Sequence, residues 1–175
     1  MHLPIKTTLS SRAKVGAVCG VAVIGLTAVA LFSGIPASAT ARHLFTVVPA
    51  SEGTFPAMDL KADKTGTWDL FLKTKDKSTI GVDLLTIESG GYSGWHSHGG
   101  GTLVTVVEGI VDVIDGDDCT TKTYYPHEGF FENSRNHIHN VKNPYSTTAR
   151  LVGIQIRPLN SPGGFSAPTG PANCP

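Results

Sequence analysis

Three things are scarce in this chain. Beyond residue 40 no stretch of useful length shows the three-to-four-residue apolar spacing of an amphipathic helix, which leaves an α-helical bundle without a basis. Charge is thin and balanced, with fourteen Lys and Arg against fourteen Asp and Glu among 175 residues. A balance of that kind carries no basic footprint for nucleic acid. Cysteine is also rare, at three residues.

What is present begins with a leader. Lys6, Arg12 and Lys14 precede an apolar run from Val15 to Phe32, and Ala37-Ser38-Ala39 follows as a small-x-small cleavage site. That order is a secretory signal peptide over residues 1–39, with cleavage expected after Ala39 and a secreted or extracytoplasmic location. The alternative is an uncleaved N-terminal helix anchoring the chain in a membrane, since the run has the length at which a span begins. Gly16, Gly20 and Gly25 interrupt the run, and Cys19 within it is poorly placed for lipidation. Cleavage leaves 136 residues, the size of one domain. The leader holds three of the fourteen basic residues and no acidic one, so the remainder carries a net charge of −3.

Two cysteines remain past the leader, Cys119 and Cys174. An even pair in an exported chain reads as a disulfide, here tying the Pro/Gly-rich tail to the body. Two free or buried thiols are the other reading.

From Gly66 the pattern has period two. Strands are expected at His43–Val48, Thr67–Lys73, Ile80–Ile87, Leu103–Val107, Ile110–Ile114, Thr120–Tyr125, Phe130–Phe131, His137–Lys142 and Ala149–Arg157, separated by Gly, Pro, Asn and Asp turns. Pro49–Pro56, the segment from Met58 to Thr65, the turn Glu88–Gly94 and everything from Asn160 to Pro175 read as irregular. Many short strands with such turns predict an all-β sandwich or barrel.

Within this pattern His96 and His98 stand two apart on an expected strand, so they share one face while Trp95 and Ser97 take the other. Two imidazoles from one strand supply half of a four-coordinate metal site, and the rest must come from elsewhere. Trp95 is then a packing or rim residue.

These residues carry a family resemblance. Gly90, then His96 and His98 after five residues, and Gly109 further on resemble the first motif of the cupins. Thr102, or Leu103 in the longer spacing, stands where that motif has a glutamate. His139 followed by Asn143 resembles the end of the second motif, although Pro126 and Gly129 are one residue too far apart. The segments Trp95–Gly99, Asp115–Cys119 and Asn173–Pro175 resemble a group of small exported bacterial cupins. The resemblance implies a double-stranded β-helix, or jelly-roll barrel, over residues 66–157, with 40–65 as an extension and 158–175 as a tail. It also implies one divalent metal ion, Fe, Mn, Zn, Ni or Cu, held by His96, His98 and His139.

His137, two residues before His139, is a possible fourth ligand; if it is not one, it is the candidate acid/base. A neutral hydroxyl at Thr102 cannot replace a carboxylate as a ligand, so a neutral three-histidine set is expected. Glu108 and Glu128 stand in turns and read as solvated, and Asn136 and Asn140 as polar surface. Tyr92, Thr102, Phe130 and Phe131 are pocket-lining candidates.

Two functions fit. One is a metal-dependent enzyme, dioxygenase-like or of other small-molecule chemistry, acting outside the cytoplasm. The other is a non-catalytic module that binds a metal or small ligand. No nucleic-acid partner is expected, a membrane enters only through an uncleaved leader, and a homodimer is the default assembly that the resemblance implies.

Overall fold

A computed structural model describes residues 41–62, 68–133, 137–166, 170, 171 and 174. The expected leader lies outside these residues. Among the described residues there is no helix, and so none long and apolar enough to cross a membrane. The chain is all-β, as the period-two pattern predicts.

Among the described residues twelve strands form: β1 (His43–Phe55), β2 (Asp59–Lys61), β3 (Phe71–Lys73), β4 (Ser78–Tyr92), β5 (His96–His98), β6 (Gly101–Glu108), β7 (Val111–Asp115), β8 (Thr121–Tyr124), β9 (Gly129–Glu132), β10 (His139–Lys142), β11 (Ala149–Pro158) and β12 (Gly164–Ser166). Antiparallel pairing gives one half in the order β1-β4-β11-β6-β9. The other half runs β12-β5-β10-β7-β8. The two meet where Lys142 of β10 pairs with Tyr92 of β4, making a nearly closed ten-stranded barrel. From β4 to β11 the chain visits the first half, the second, the first, the second twice, then first, second, first. That alternation is the double-stranded β-helix, or jelly roll.

Strand alternation builds the core. In β6, Thr102, Val104 and Val106 point inward and are buried while Leu103, Thr105 and Val107 face out. Val104 and Val106 pack with Ile87, Val111, Phe130, Val141, Ala149 and Leu151. Each such aliphatic burial contributes about 1.5–3 kcal/mol. Asn143, fully buried, ties the turn after β10 to this core: its Nδ2 donates to the carbonyls of Ile87 and Thr147 at 2.8 Å, and its Oδ1 accepts from the Tyr145 amide. Outside the barrel, Leu60 and Phe71 of the β2–β3 hairpin are exposed.

Several boundaries differ from the sequence expectation. The Pro49–Pro56 segment is strand, because β1 continues to Phe55 along the whole of β4. β1 pairs only with β4, so it is an edge where proline is tolerated, and a register shift between Pro49 and Ser51 absorbs it. The barrel sheet therefore starts at His43, inside the segment expected as an extension. β4 likewise runs through the expected Glu88–Gly94 turn, bending where Gly90 adopts φ 77°. Of the strand expected at Thr67–Lys73, Thr67 lies outside the described residues, and Phe71–Lys73 forms β3. β10 starts at His139 rather than His137. The tail contains β12, so it is not wholly irregular. The disulfide Cys119–Cys174 is present and anchors that tail, with Cys174 beside Trp95, Ile114 and Ile138.

Candidate metal centre

β5 lies between β12 and β10, and His96 pairs in register with His139. The turn into β5 aims the Gly94 carbonyl at His96 Nδ1, 2.9 Å away. On the other side of the strand, the tail supplies the Gly163 carbonyl, which accepts from His98 Nδ1 at 2.9 Å. Both rings are thus oriented through one nitrogen, leaving Nε2 to face the interior. Close packing after the pair keeps β5 and β6 in place. A Cβ on Gly100 would lie 1.9 Å from the Ile156 carbonyl oxygen, so only glycine lets the chain pass beneath β11 there.

The fold brings His96, His98 and His139 together, with ring centroids 4.3–5.1 Å apart. His98 and His139 are 7% and 1% exposed. A fourth residue joins them that the sequence reading did not single out. Glu132, at the inward end of β9, is 5% exposed and pairs in register with Thr102. The carboxylate missing at Thr102 is therefore supplied by its cross-strand neighbour, and the expected neutral three-histidine set becomes three histidines and a glutamate. Ligand atoms of the four residues all lie within 4.8 Å of one another, a cluster that can hold a metal ion. The sequence signal was there in period two: with Phe130 inward, Glu132 must also face inward.

The donor geometry fits an ion better than a hydrogen-bonded cluster. The Nε2 atoms of His98 and His139 lie 2.9 and 3.0 Å from the two oxygens of Glu132. Both nitrogens nevertheless lack a partner in hydrogen-bond geometry. Contacts this short but off the N–H direction arise when several donors converge on one point between them. Three imidazoles and one carboxylate are a donor set suited to Zn, Fe, Mn, Ni or Cu.

Electrostatics support the same grouping. Burial, reinforced by the neighbouring His139, pushes His96 down to about 4, so it is neutral and ready to ligate across the neutral range. Burial alone would lower His98 too, but the negative charge of the Glu132 carboxylate beside it outweighs that and holds His98 above its ordinary value. Burial would raise Glu132, yet His139 and His98 hold it well below the usual carboxylate range.

His137, the residue expected as a fourth ligand, stands apart. It precedes β10, and its Nε2 meets Asp115 Oδ2 at 2.9 Å, with Asp117 Oδ2 at 3.8 Å. Its place in the cluster is taken by Glu132. Thr102 is 3% exposed and lines the interior with Phe130, as expected. Tyr92 does not line it and instead meets the His43 ring. Phe131 is 58% exposed, facing out from β9. Trp95 is buried on the face away from the histidines. Asn140, expected on the surface, is buried and accepts from Ser93 Oγ at 3.3 Å. Asn136 lies outside the described residues. Glu108 and Glu128 are exposed, as expected, one beside Arg150 and the other capping the Tyr125 amide.

A cavity of about 650 Å³ opens onto His96 and His98 between β1, β4, β11 and the tail. Its walls are mixed, with Phe45, Val47 and Leu85 on the apolar side and Asp83, Gln155 and Arg157 on the polar side.

No protein-family model and no curated protein matches the chain. Solved structures do match. One is an uncharacterized protein with a double-stranded β-helix domain from Klebsiella pneumoniae, with 15% identity over 64% of this chain and 84% of that one, TM-score 0.43. A second is a cupin domain from Bordetella pertussis, 19% identical over 58% of this chain and 94% of that one, TM-score 0.40. A third is the polyketide cyclase RemF from Streptomyces resistomycificus, 18% identical over 50% of this chain, TM-score 0.44. This chain spans 60% of the length of RemF, and 55–65% of two other matched structures.

Proposed function

We propose that the chain is a cupin that binds one divalent metal through His96, His98, Glu132 and His139 and acts outside the cytoplasm as a metal-dependent enzyme on a small organic molecule. The observation that carries this reading is the buried Glu132 between two imidazole nitrogens that approach it closely and still lack hydrogen-bond partners. A divalent ion would supply Lewis acidity toward a bound oxygen or, if redox-active, electron transfer. The chain's own contribution is orientation. Gly94 and Gly163 carbonyls fix the rings of His96 and His98, and outer partners of this kind set both tautomer and ligand basicity. Glu132 gives the site one negative charge, so an ion of charge +2 keeps about half its charge for a substrate. Phe45, Val47 and Leu85 give the cavity beside the histidines one apolar wall.

Action outside the cytoplasm rests on the leader sequence and on the Cys119–Cys174 disulfide, a bond that persists in oxidising compartments. The test is elemental analysis of the purified chain, followed by turnover assays with catechol-like, thiol and dicarboxylate substrates. About one metal per chain is expected, lost in His96→Ala and Glu132→Ala. A well-folded chain that takes up no metal sinks the reading; a loaded chain that binds these molecules without converting any of them leaves the binding module and overturns the enzyme.

A further inference from the structure

The polar side of the cavity holds a carboxylate that lies outside the four-residue metal cluster. Asp83, on β4, lines both the open cavity and the narrower interior space that reaches Glu132, along with Phe45, Leu85, His96, His98 and Gln155. It therefore sits where the two spaces join, as His96 and His98 do. Strand register explains its direction. Inward positions of β4 alternate through Gly81, Asp83, Leu85 and Ile87, and Asp83 stands opposite Gly153 on β11 and Pro49 on β1. Neither neighbour can hydrogen-bond it with a side chain.

The partner it does have is neutral. Gln155 Nε2 donates to Asp83 Oδ2 at 2.7 Å. Of the two arginines lining the cavity, Arg157 directs its two terminal nitrogens away from Asp83, one to Glu52 and the other to the Ser161 carbonyl. Burial raises the Asp83 carboxyl above its ordinary value even with the Gln155 hydrogen bond and the Arg157 charge acting against it. That is the behaviour of a carboxylate short of donors. A half-buried acid held by an amide, facing a cavity with an apolar wall, is a receptor for a donor group on a ligand.

We propose that Asp83, held in place by Gln155, recognises a hydrogen-bond donor on the substrate, an ammonium or a hydroxyl, carried by a ring-sized molecule whose opposite end faces the histidines. The apolar body of such a molecule lies along Phe45, Val47 and Leu85. This rests on the metal-pocket reading for the far end of the ligand, but the Asp83 contact is independent of whether an ion is bound.

The test compares ligands matched in shape. Anaerobic calorimetry on the metal-loaded chain with 4-(2-aminoethyl)catechol, 4-(2-hydroxyethyl)catechol and 4-ethylcatechol reads the donor preference directly, and the first two separate ammonium from hydroxyl. Binding about tenfold or more tighter for at least one donor-bearing catechol is expected, the range for a hydrogen bond to a charged group. In Asp83→Asn, and in Asp83→Ser as a second variant, that preference falls to within about twofold, while 4-ethylcatechol affinity and metal content stay unchanged. A preference that survives both variants, or no preference in the unaltered chain, overturns the proposal. Metal content, read separately, decides the metal site. Should the chain hold no metal, the same comparison is made with tyramine and 4-ethylphenol, which need no chelation; loss of the tyramine preference in Asp83→Asn still supports the Asp83 contact, and its persistence still overturns it.

Discussion

Replacing Cys119 and Cys174 together with serine removes a covalent link between residues 55 apart in sequence. In the chain-entropy treatment, closing a loop of that length takes about 14 cal/mol/K from the unfolded chain, or about 4 kcal/mol at 25 °C. Against a total stability on the order of 5–15 kcal/mol this is a large share. The folded side offers little to offset it. Cys119 sits at φ 62°, and serine keeps that unfavourable backbone. Cys174 packs beside Trp95, Ile114 and Ile138, so its replacement also loses apolar contact. At about 3–5 °C per kcal/mol for a domain of this size, the melting midpoint should fall by about 12–20 °C. Thermal melts and urea titrations of the metal-free chain measure it. The tail held by this bridge also carries β12 and the Gly163 carbonyl that orients His98. A second readout follows, a loss of metal affinity of about 10–100-fold, the usual effect of losing an outer-shell partner. A midpoint shift under about 4 °C, equivalent to roughly 1 kcal/mol, refutes the entropic argument. Unchanged metal affinity refutes the coupling of tail to site.

Glu132→Gln keeps the shape but removes the charge, and metal affinity should fall by more than the roughly 10–100-fold that outer-shell changes cost; competition against a chromogenic chelator measures it. For pH, His98 is held above its ordinary value by Glu132, so in the metal-free chain the stability from this pair is present below the unfolded histidine value of about 6.5 and is lost as pH rises through the raised folded value. Metal must displace that proton, so affinity should climb with pH through the same range, and a flat profile between pH 5.5 and 8.5 contradicts it. His96 acts in the opposite sense. The unfolded chain takes up its proton from about 6.5 downward while the folded chain waits until about 4, so stability falls across that window, and His96→Ala should flatten this limb in pH-dependent urea melts. Asn143→Ala leaves two carbonyls and an amide in a fully buried turn without partners, and urea denaturation should show a loss of about 3 kcal/mol or more.

Much of the architecture was legible because strand alternation is written directly into side-chain type. Asp83, Leu85 and Ile87 face inward on β4 with the period of two, and Asn143 marks the turn that its side chain satisfies. The limits came where backbone chemistry depends on neighbours. Pro49 reads as a break, yet on an edge strand its missing N–H costs nothing, so β1 continues past it. Gly90 reads as a turn, yet its positive φ only bends β4. β12 could not be read from three residues in a Gly/Pro-rich tail, because its strand character comes from pairing with β5, a contact across more than sixty residues.

The site follows the same logic, and Thr102 is where it is clearest. In a single sequence the missing carboxylate looks like a change in the charge of the site. In the folded chain Thr102 and Glu132 face each other across β6 and β9, so moving the acid from one strand to its partner leaves it near the same point in space. Position along the chain changed while position in the barrel did not. His137 shows the converse, lying two residues from His139 in sequence but turned to Asp115 because the strand starts after it. Ligand sets in β-barrels are therefore better read from cross-strand partners of a known ligand strand than from residues close to it in sequence. For this chain the residues opposite Thr102 are Glu132 on β9 and Gln155 on β11, and Gln155 in turn holds Asp83.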